Sequence, residues 1–252
     1  MIKRELNLLF LTFQYYSRIP TPRATYSEEG LSEAFRYFPI VGAVVGGIGA
    51  VVWWLLGFVL PHEVAVFFAL IAMTWASGAI HEDGFSDTFD GFGGGYDRER
   101  ILAIMRDSSS GVFGITALIL LFGLKFLLLK NLPADMVPAA LISAQASARI
   151  MPLFFINSAD YARHDVSKGM HTRKKLSPAT FGIALFFSLL SLCLIPWQTA
   201  VGIVLLYAVV YFCIRRMAIR KIGGYTGDVL GALIVTCEVS FYTLLLVGVP
   251  CF

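Results

Sequence analysis

Four carboxylates crowd into nine residues of the segment His81-Glu82-Asp83-Gly84-Phe85-Ser86-Asp87-Thr88-Phe89-Asp90-Gly91-Phe92-Gly93-Gly94-Gly95. On a helix, at about 100° per residue, Asp83, Asp87 and Asp90 lie at 0°, about 40° and about −20°. Phe85, Phe89 and Phe92 lie near 180–240° on the same projection, on the opposite face. Side chains at i and i+4 are about 5–6 Å apart between Cβ atoms, so the three aspartates repel one another and raise each other's pKa. A divalent cation removes that penalty. Hard oxygen donors, with neither imidazole nor thiolate required, favour Mg²⁺ or Mn²⁺ over zinc. Two metal ions about 3.5–4 Å apart would fit a site of the width of Asp83, Asp87 and Asp90. A solvated acidic loop is the competing reading, but it needs no Asp face opposite a Phe face. His81 either assists the site or is a hydrogen-bonded histidine at the membrane edge.

Other polar groups flank apolar runs. Met105-Arg106-Asp107-Ser108-Ser109-Ser110-Gly111 leads into one of them; its hydroxyls suit a helix cap, and the helix end with Arg106 suits a phosphate. Arg149 stands inside an apolar run after Gln145 and Ser147, where a charge marks function by default, a structural ion pair being the alternative. Gly223-Gly224-Tyr225-Thr226-Gly227-Asp228 opens the last apolar run and offers a carboxylate and backbone donors; an N-cap by Asp228 is the plainer view. Glu238 lies deeper, facing a partner helix. Metal plus cationic clamps is what phosphoryl transfer requires. Neither a G-x-x-x-x-G-K-[ST] phosphate loop nor a G-x-S-x-G nucleophile elbow occurs.

The elements that must hold these groups are membrane helices. The 252 residues are 57% apolar and 15% charged, with a mean hydropathy of +0.73. That excludes disorder and leaves too few charges to cover soluble domains. Net charge +3 does not suggest a nucleic-acid partner. Cys193, Cys213, Cys237 and Cys251 are well separated, without a C-x-x-C pair, and read as small apolar fillers. A crossing helix needs about 20 mostly apolar residues. Candidates are Ile40–Leu60, Val64–Ile80, Val112–Leu129, Val137–Ile156, Phe181–Ile195, Thr199–Ile214 and Val229–Val249. The fifth and sixth, joined by Pro196-Trp197-Gln198, are a tight hairpin or one broken element. Leu6, Leu9, Phe10 and Phe13 recur with helical spacing, so the N-terminus reads as an amphipathic interfacial helix rather than a cleaved signal peptide.

The expected fold is thus all-α: a polytopic bundle of about seven transmembrane helices forming a single integral membrane domain over residues 1–252. Residues 1–39 form an interfacial N-terminal segment and 81–111 an acidic catalytic segment. Residues 1–39, 81–111, 157–180 and 215–228 fall on one side of seven spans and carry 17 of the 20 Lys and Arg. The excess of basic residues places them, and the N-terminus, in the cytoplasm.

His81–Gly95 resembles the signature of the cobalamin synthase (adenosylcobinamide-GDP ribazoletransferase) family, with Phe85 and Ser86 where that pattern has Leu and Ala. Supporting resemblances run along the chain: Ser17-Arg18-Ile19-Pro20, Tyr37-Phe38-Pro39-Ile40-Val41-Gly42, Arg106-Asp107-Ser108 (Arg for the common Lys) and Tyr225-Thr226-Gly227-Asp228-Val229-Leu230-Gly231. The resemblance implies Mg²⁺-dependent reaction of adenosylcobinamide-GDP with the 3′-hydroxyl of α-ribazole or α-ribazole 5′-phosphate. Adenosylcobalamin, or its 5′-phosphate, and GMP are formed. It implies a metal cluster of Glu82, Asp83, Asp87 and Asp90, closed by Asp228, with Asp90 the first choice of base. Arg106, Asp107, Ser108, Arg149, Arg18, Thr226 and Gly227 become substrate-binding candidates. The expected setting is a bacterial inner membrane, with lipid, a second copy of the chain or other cobalamin-pathway enzymes as partners.

Two rivals are distinguishable. A secondary transporter would carry acidic groups near the midplane and often internal repeats, and no convincing repeat is visible. A CDP-alcohol phosphotransferase would need D-x-x-D-G-x-x-A-R; Asp87-Thr88-Phe89-Asp90-Gly91 begins it, but Gly94-Gly95 stand where Ala-Arg belongs.

Overall fold

A computed structural model describes residues 2–163 and 175–248, and among them every regular element is a helix. Lys168, Arg173, Lys174, Val249 and Cys251, used in the sequence reading, lie outside the described residues.

The chain opens with α1 (Ile2–Tyr16) and α2 (Glu28–Ala34, capped by Ser27). α1 buries Leu8, Leu11, Thr12, Phe13 and Tyr16 and leaves Leu6 exposed. The stripe read from sequence thus only partly coincides with the docking face: Phe13 is in the core and Leu9 packs against it, while Leu6 is exposed. Arg36 bridges to Glu5 at 3.1 Å, and the Tyr37 hydroxyl donates to Glu5 at 2.7 Å, fastening α1 to the entrance of the next helix.

α3 (Phe38–Leu56) runs down and α4 (His62–Ser77) returns. Gly42 and Gly46 let α3 lie against the backbone of α8 (below), where a Cβ would collide with the Gln145 and Leu141 carbonyls. Lipid tails are as apolar as leucine, so close packing of this kind, rather than hydrophobic transfer, holds helices together in a membrane. At Gly78 (φ 72°) and Ala79 (φ 57°) the chain turns left-handed. α5 (Ile80–Gly94) leaves α4 at 88°. α6 (Arg98–Ile104) is short and capped by Asp97.

α7 (Val112–Lys130) is followed by α8 (Val137–Ala148) and α9 (Met151–Ser158). The expected span Val137–Ile156 falls within one membrane-crossing stretch, Ala134–Ser158. Its helix is interrupted at Arg149 and Ile150, in the turn before Pro152, which has no N–H and whose ring crowds the carbonyl four residues back; Arg149 caps α8. α10 (Pro178–Leu192) packs on α8, while α11 (Trp197–Ile222) packs on α12 (Gly227–Val247). α11 continues eight residues past the expected Ile214, so Arg215, Arg216, Arg220 and Lys221 stand on helix rather than loop.

Each of the seven apolar segments is mainly helical over its described residues. Among the described residues five spans are long and apolar enough to cross a membrane, six if the bent α4–α5 pair is one span; the count of seven is not reproduced by length, because α10 has only 15 residues. Large apolar side chains such as Trp54, Phe67, Ile119, Phe186 and Phe212 point outward, as expected where the solvent is hydrocarbon. The polar connections are tied to one another at one end of the bundle. Arg98 donates to the carbonyls of Ile222 and Ala162, Lys221 to that of Phe92, and Arg215 to that of Ser158.

Candidate active site

The His81–Gly95 segment is helical throughout but for its last glycine, as the Asp and Phe faces require. Gly84 and Gly231 let α5 cross the start of α12 at near-contact distance: a Cβ on Gly84 would meet the Asp228 Cα at 2.9 Å, and one on Gly231 the His81 carbonyl at 3.1 Å. The crossing brings Asp228, 141 residues after Asp87, to the same place as the α5 carboxylates. Thr226, not Asp228, caps α12: its hydroxyl accepts from the Val229 amide. The Asp228 carboxylate is thereby left to accept from Arg163 Nη2 at 2.7 Å and from the Thr226 hydroxyl at 3.2 Å.

Arg163 was not singled out in the sequence, because no motif surrounds it. Its position comes from a backbone pairing. Ala162 N donates to the Tyr225 carbonyl and Tyr225 N to that of Asp160, laying residues 160–163 beside the start of α12. Arg163 also donates to the Met105 carbonyl at 3.2 Å.

The five expected metal ligands separate into three groups. Asp83 is exposed, Asp87 half-buried, and Asp228 faces them across the crossing. Burial, then the charges of Asp228 and Asp83, push the Asp87 carboxyl up to about 7, against the pull of Arg163. Asp90 is turned the other way. Its two oxygens accept from the amides of Gly111 (2.7 Å) and Gly114 (2.8 Å), satisfying the orphan donors at the start of α7. The serines expected to cap that helix do not; Ser109 bonds Asp107 instead, at 2.7 Å. Asp90 also occupies the helix end that had been assigned to a phosphate with Arg106.

Glu82 points inward to a third group. Its Oε1 lies 3.6 Å from Lys125 Nζ, which in turn is 2.7 Å from Glu238 Oε2. Arg149 completes this interior cluster. It is fully buried, donates to the Gln145 side chain at 2.8 Å, approaches Glu238 Oε1 at 3.8 Å and lies over the Phe38 ring. The structure thus places Arg149 away from the mouth, as a structural ion-pair member. Lys125 carries the same sequence signal as Arg149, a charge within an apolar run. The gap among these side chains is about 10 Å³, room for one water at most and no route for a solute.

Two larger chambers flank α5. One, of about 590 Å³, is lined by Asp90, Arg100, Asp107 and Ser109. The other, of about 450 Å³, is lined by Tyr15, Tyr16, Phe35, Phe38 and Tyr161, and by Asp83, Arg163, Gly227 and Asp228. His81 lines the second; its ring meets Phe38 edge to face, centroids 5.8 Å apart, and its Nε2 has no hydrogen-bond partner among the described residues. Arg106 and Ser108 lie on the exposed loop after α6. Arg18 is also exposed, packed over Gly78 at the bend between α4 and α5.

Among the described residues no three of these carboxylates already close around one point. Asp83, Asp87 and Asp228 nevertheless fit Mg²⁺. It is commonly bound by one or two carboxylates plus substrate phosphates and keeps several waters, so it needs no all-protein cage.

Fold and site define an all-helical polytopic membrane protein with carboxylates and an arginine gathered at its polar end. Residues 8–246 match the cobalamin-5-phosphate synthase family, and the chain belongs to that family. It is similar to proteins named adenosylcobinamide-GDP ribazoletransferase from Shewanella amazonensis and from Leptothrix cholodnii. The first is 40% identical over 97% of this chain and 96% of that protein. The second is 37% identical over 97% of each. No solved structure matches the chain significantly.

Proposed function

We propose that this protein joins α-ribazole or its 5′-phosphate to the cobinamide arm of adenosylcobinamide-GDP, releasing GMP. The convergence of Asp83, Asp87 and Asp228 beside Arg163 carries the reading, on a chain that belongs to the family over nearly its whole length. The ribazole 3′-oxygen forms a bond to the phosphorus on the cobinamide arm, and the bond from that phosphorus to the GMP oxygen breaks. The hydroxyl proton passes to Asp83 or Asp87, the acidic side chains at the mouth with the least prior engagement; Asp90, the first choice from sequence, is held by two amides. Arg163 offers a fixed cation to the phosphates, and Arg106 a second from the loop after α6. Asp83, Asp87 and Asp228 would hold Mg²⁺, which when bound neutralises charge developing on the phosphoryl oxygens.

The site lies on the cytoplasmic face of a bacterial inner membrane. The clustering of basic residues in the segments that meet at this end supports that orientation. α1 lies in the interface against lipid.

The test is GMP release by the purified protein in liposomes, given adenosylcobinamide-GDP and α-ribazole 5′-phosphate, with Mg²⁺ or with EDTA. Mg²⁺-dependent formation of GMP and adenosylcobalamin 5′-phosphate is expected. A folded protein that forms neither product overturns the reading.

A further inference from the structure

Of the two chambers beside α5, the aromatic one has a shape and chemistry of its own. Asp83, Asp228 and Arg163 give it polar groups, and rings and aliphatic faces, including Tyr16, Phe38, Pro152 and Ile234, line the rest. The rings form a connected wall: Tyr15 and Tyr16 have centroids 5.0 Å apart, Tyr16 and Phe38 4.6 Å, Phe38 and His81 5.8 Å. Tyr161 also lines the chamber, braced by Tyr225 at 5.6 Å. A volume of about 450 Å³ falls in the range of small-molecule sites, which combine apolar walls with a few placed polar groups. A corrin macrocycle with its axial groups is too large for it. A single nucleoside is not.

We propose that this chamber is the ribazole subsite, with the benzimidazole base among the rings and the ribose at the carboxylates. The inference rests on the proposed reaction and adds which reactant occupies which chamber. A flat base gains from ring faces whatever its sequence of edge groups. Benzimidazole in a nucleoside has one unsubstituted ring nitrogen, so a single polar partner satisfies it. His81, 6% exposed, supplies one: its Nε2 is buried without a partner among the described residues. Guanine presents several donors and acceptors on its edge, and most of these walls would leave them unpaired, at a cost. With the base among the rings, the ribose is carried to Asp83 and Asp228, where its hydroxyl must react.

The experiment is steady-state kinetics of GMP release in nanodiscs, varying each substrate against a saturating concentration of the other. Tyr161→Leu and Tyr15→Ala remove one ring each; Tyr15 is 41% exposed at the rim, so its variant keeps the proposal testable if Tyr161→Leu does not fold. The KM for α-ribazole 5′-phosphate should rise about tenfold, with kcat and the KM for adenosylcobinamide-GDP within about twofold of wild type. Tyr161→Phe, which keeps the ring, should restore the ribazole KM. Equilibrium dialysis of α-ribazole should show the same order of affinities without turnover. A rise confined to the adenosylcobinamide-GDP KM, a fall in kcat alone, or no change would overturn the assignment. A wild-type protein without GMP release would overturn the proposed reaction instead, so the two failures are distinguishable.

Discussion

Arg163 Nη2 and Asp228 Oδ2 are 2.7 Å apart, and this contact closes the mouth of the site between segments 65 residues distant in sequence. Arg163 is held from two directions, by Asp228 and by the Met105 carbonyl, so it is a preorganised cation rather than a mobile one. Arg163→Ala is expected to slow GMP release about 10²–10³-fold, the size of losing one fixed donor from an active site. Arg163→Lys should fall between, because it keeps the charge and loses the planar fork. A folded Arg163→Ala with wild-type rates would reduce the pair to scaffolding.

Asp83→Asn and Asp87→Asn each remove a carboxylate from the proposed cation site, and both should abolish Mg²⁺-dependent turnover while the protein stays folded. Asp87 adds a pH signature. With its carboxyl near 7 in the absence of a cation, it is protonated below that pH and a poor ligand. Activity at limiting Mg²⁺ should therefore rise with pH through about 7 and level off above. Saturating Mg²⁺, which favours the ionised form, should move the midpoint to lower pH. A midpoint that ignores Mg²⁺ would separate Asp87 from the metal.

Asp90 distinguishes structure from catalysis. Asparagine at this position keeps one acceptor oxygen and presents an NH₂ to the second amide of α7. Asp90→Asn should cost about 1–3 kcal/mol, read as a lower unfolding midpoint in detergent. Full stability with lost turnover would return Asp90 to the reacting groups.

Lys125 and Glu238 can be tested as a pair. Removing one partner of a buried ion pair typically costs about 3–5 kcal/mol, because the other charge is stranded. Lys125→Met and Glu238→Met should each destabilise strongly, and the double variant should cost clearly less than the two added together. Additive losses would mean that the 2.7 Å contact carries no coupling.

What the sequence disclosed and what it withheld follow the range of each interaction. The α5 helix and its opposed Asp and Phe faces come from a period of 3.6 residues, visible locally, and the apolar spans come from composition. Asp90 was read as a catalytic group because its actual partners, the Gly111 and Gly114 amides, lie more than 20 residues on and depend on how α7 approaches α5. Arg163 is placed by a two-residue backbone pairing with Tyr225 that leaves no pattern in either segment. Arg149 was rightly marked as unusual, yet its surroundings, a closed ion-pair cluster rather than an open mouth, required tertiary packing to decide. Lys125 could have been found by the same rule.

The interior charges also set an order for making the protein. Glu82 is synthesised first, so when α7 enters the membrane its Lys125 already has a counter-ion within reach. Arg149 arrives next, and the cluster then holds two cations against one anion. Only Glu238, on the last span, restores neutrality. A chain halted before α12 carries an uncompensated positive charge in the middle of its bundle, and it also lacks Asp228. Completion of the last helix thus settles the interior charge and brings Asp228 to the mouth of the site in one event.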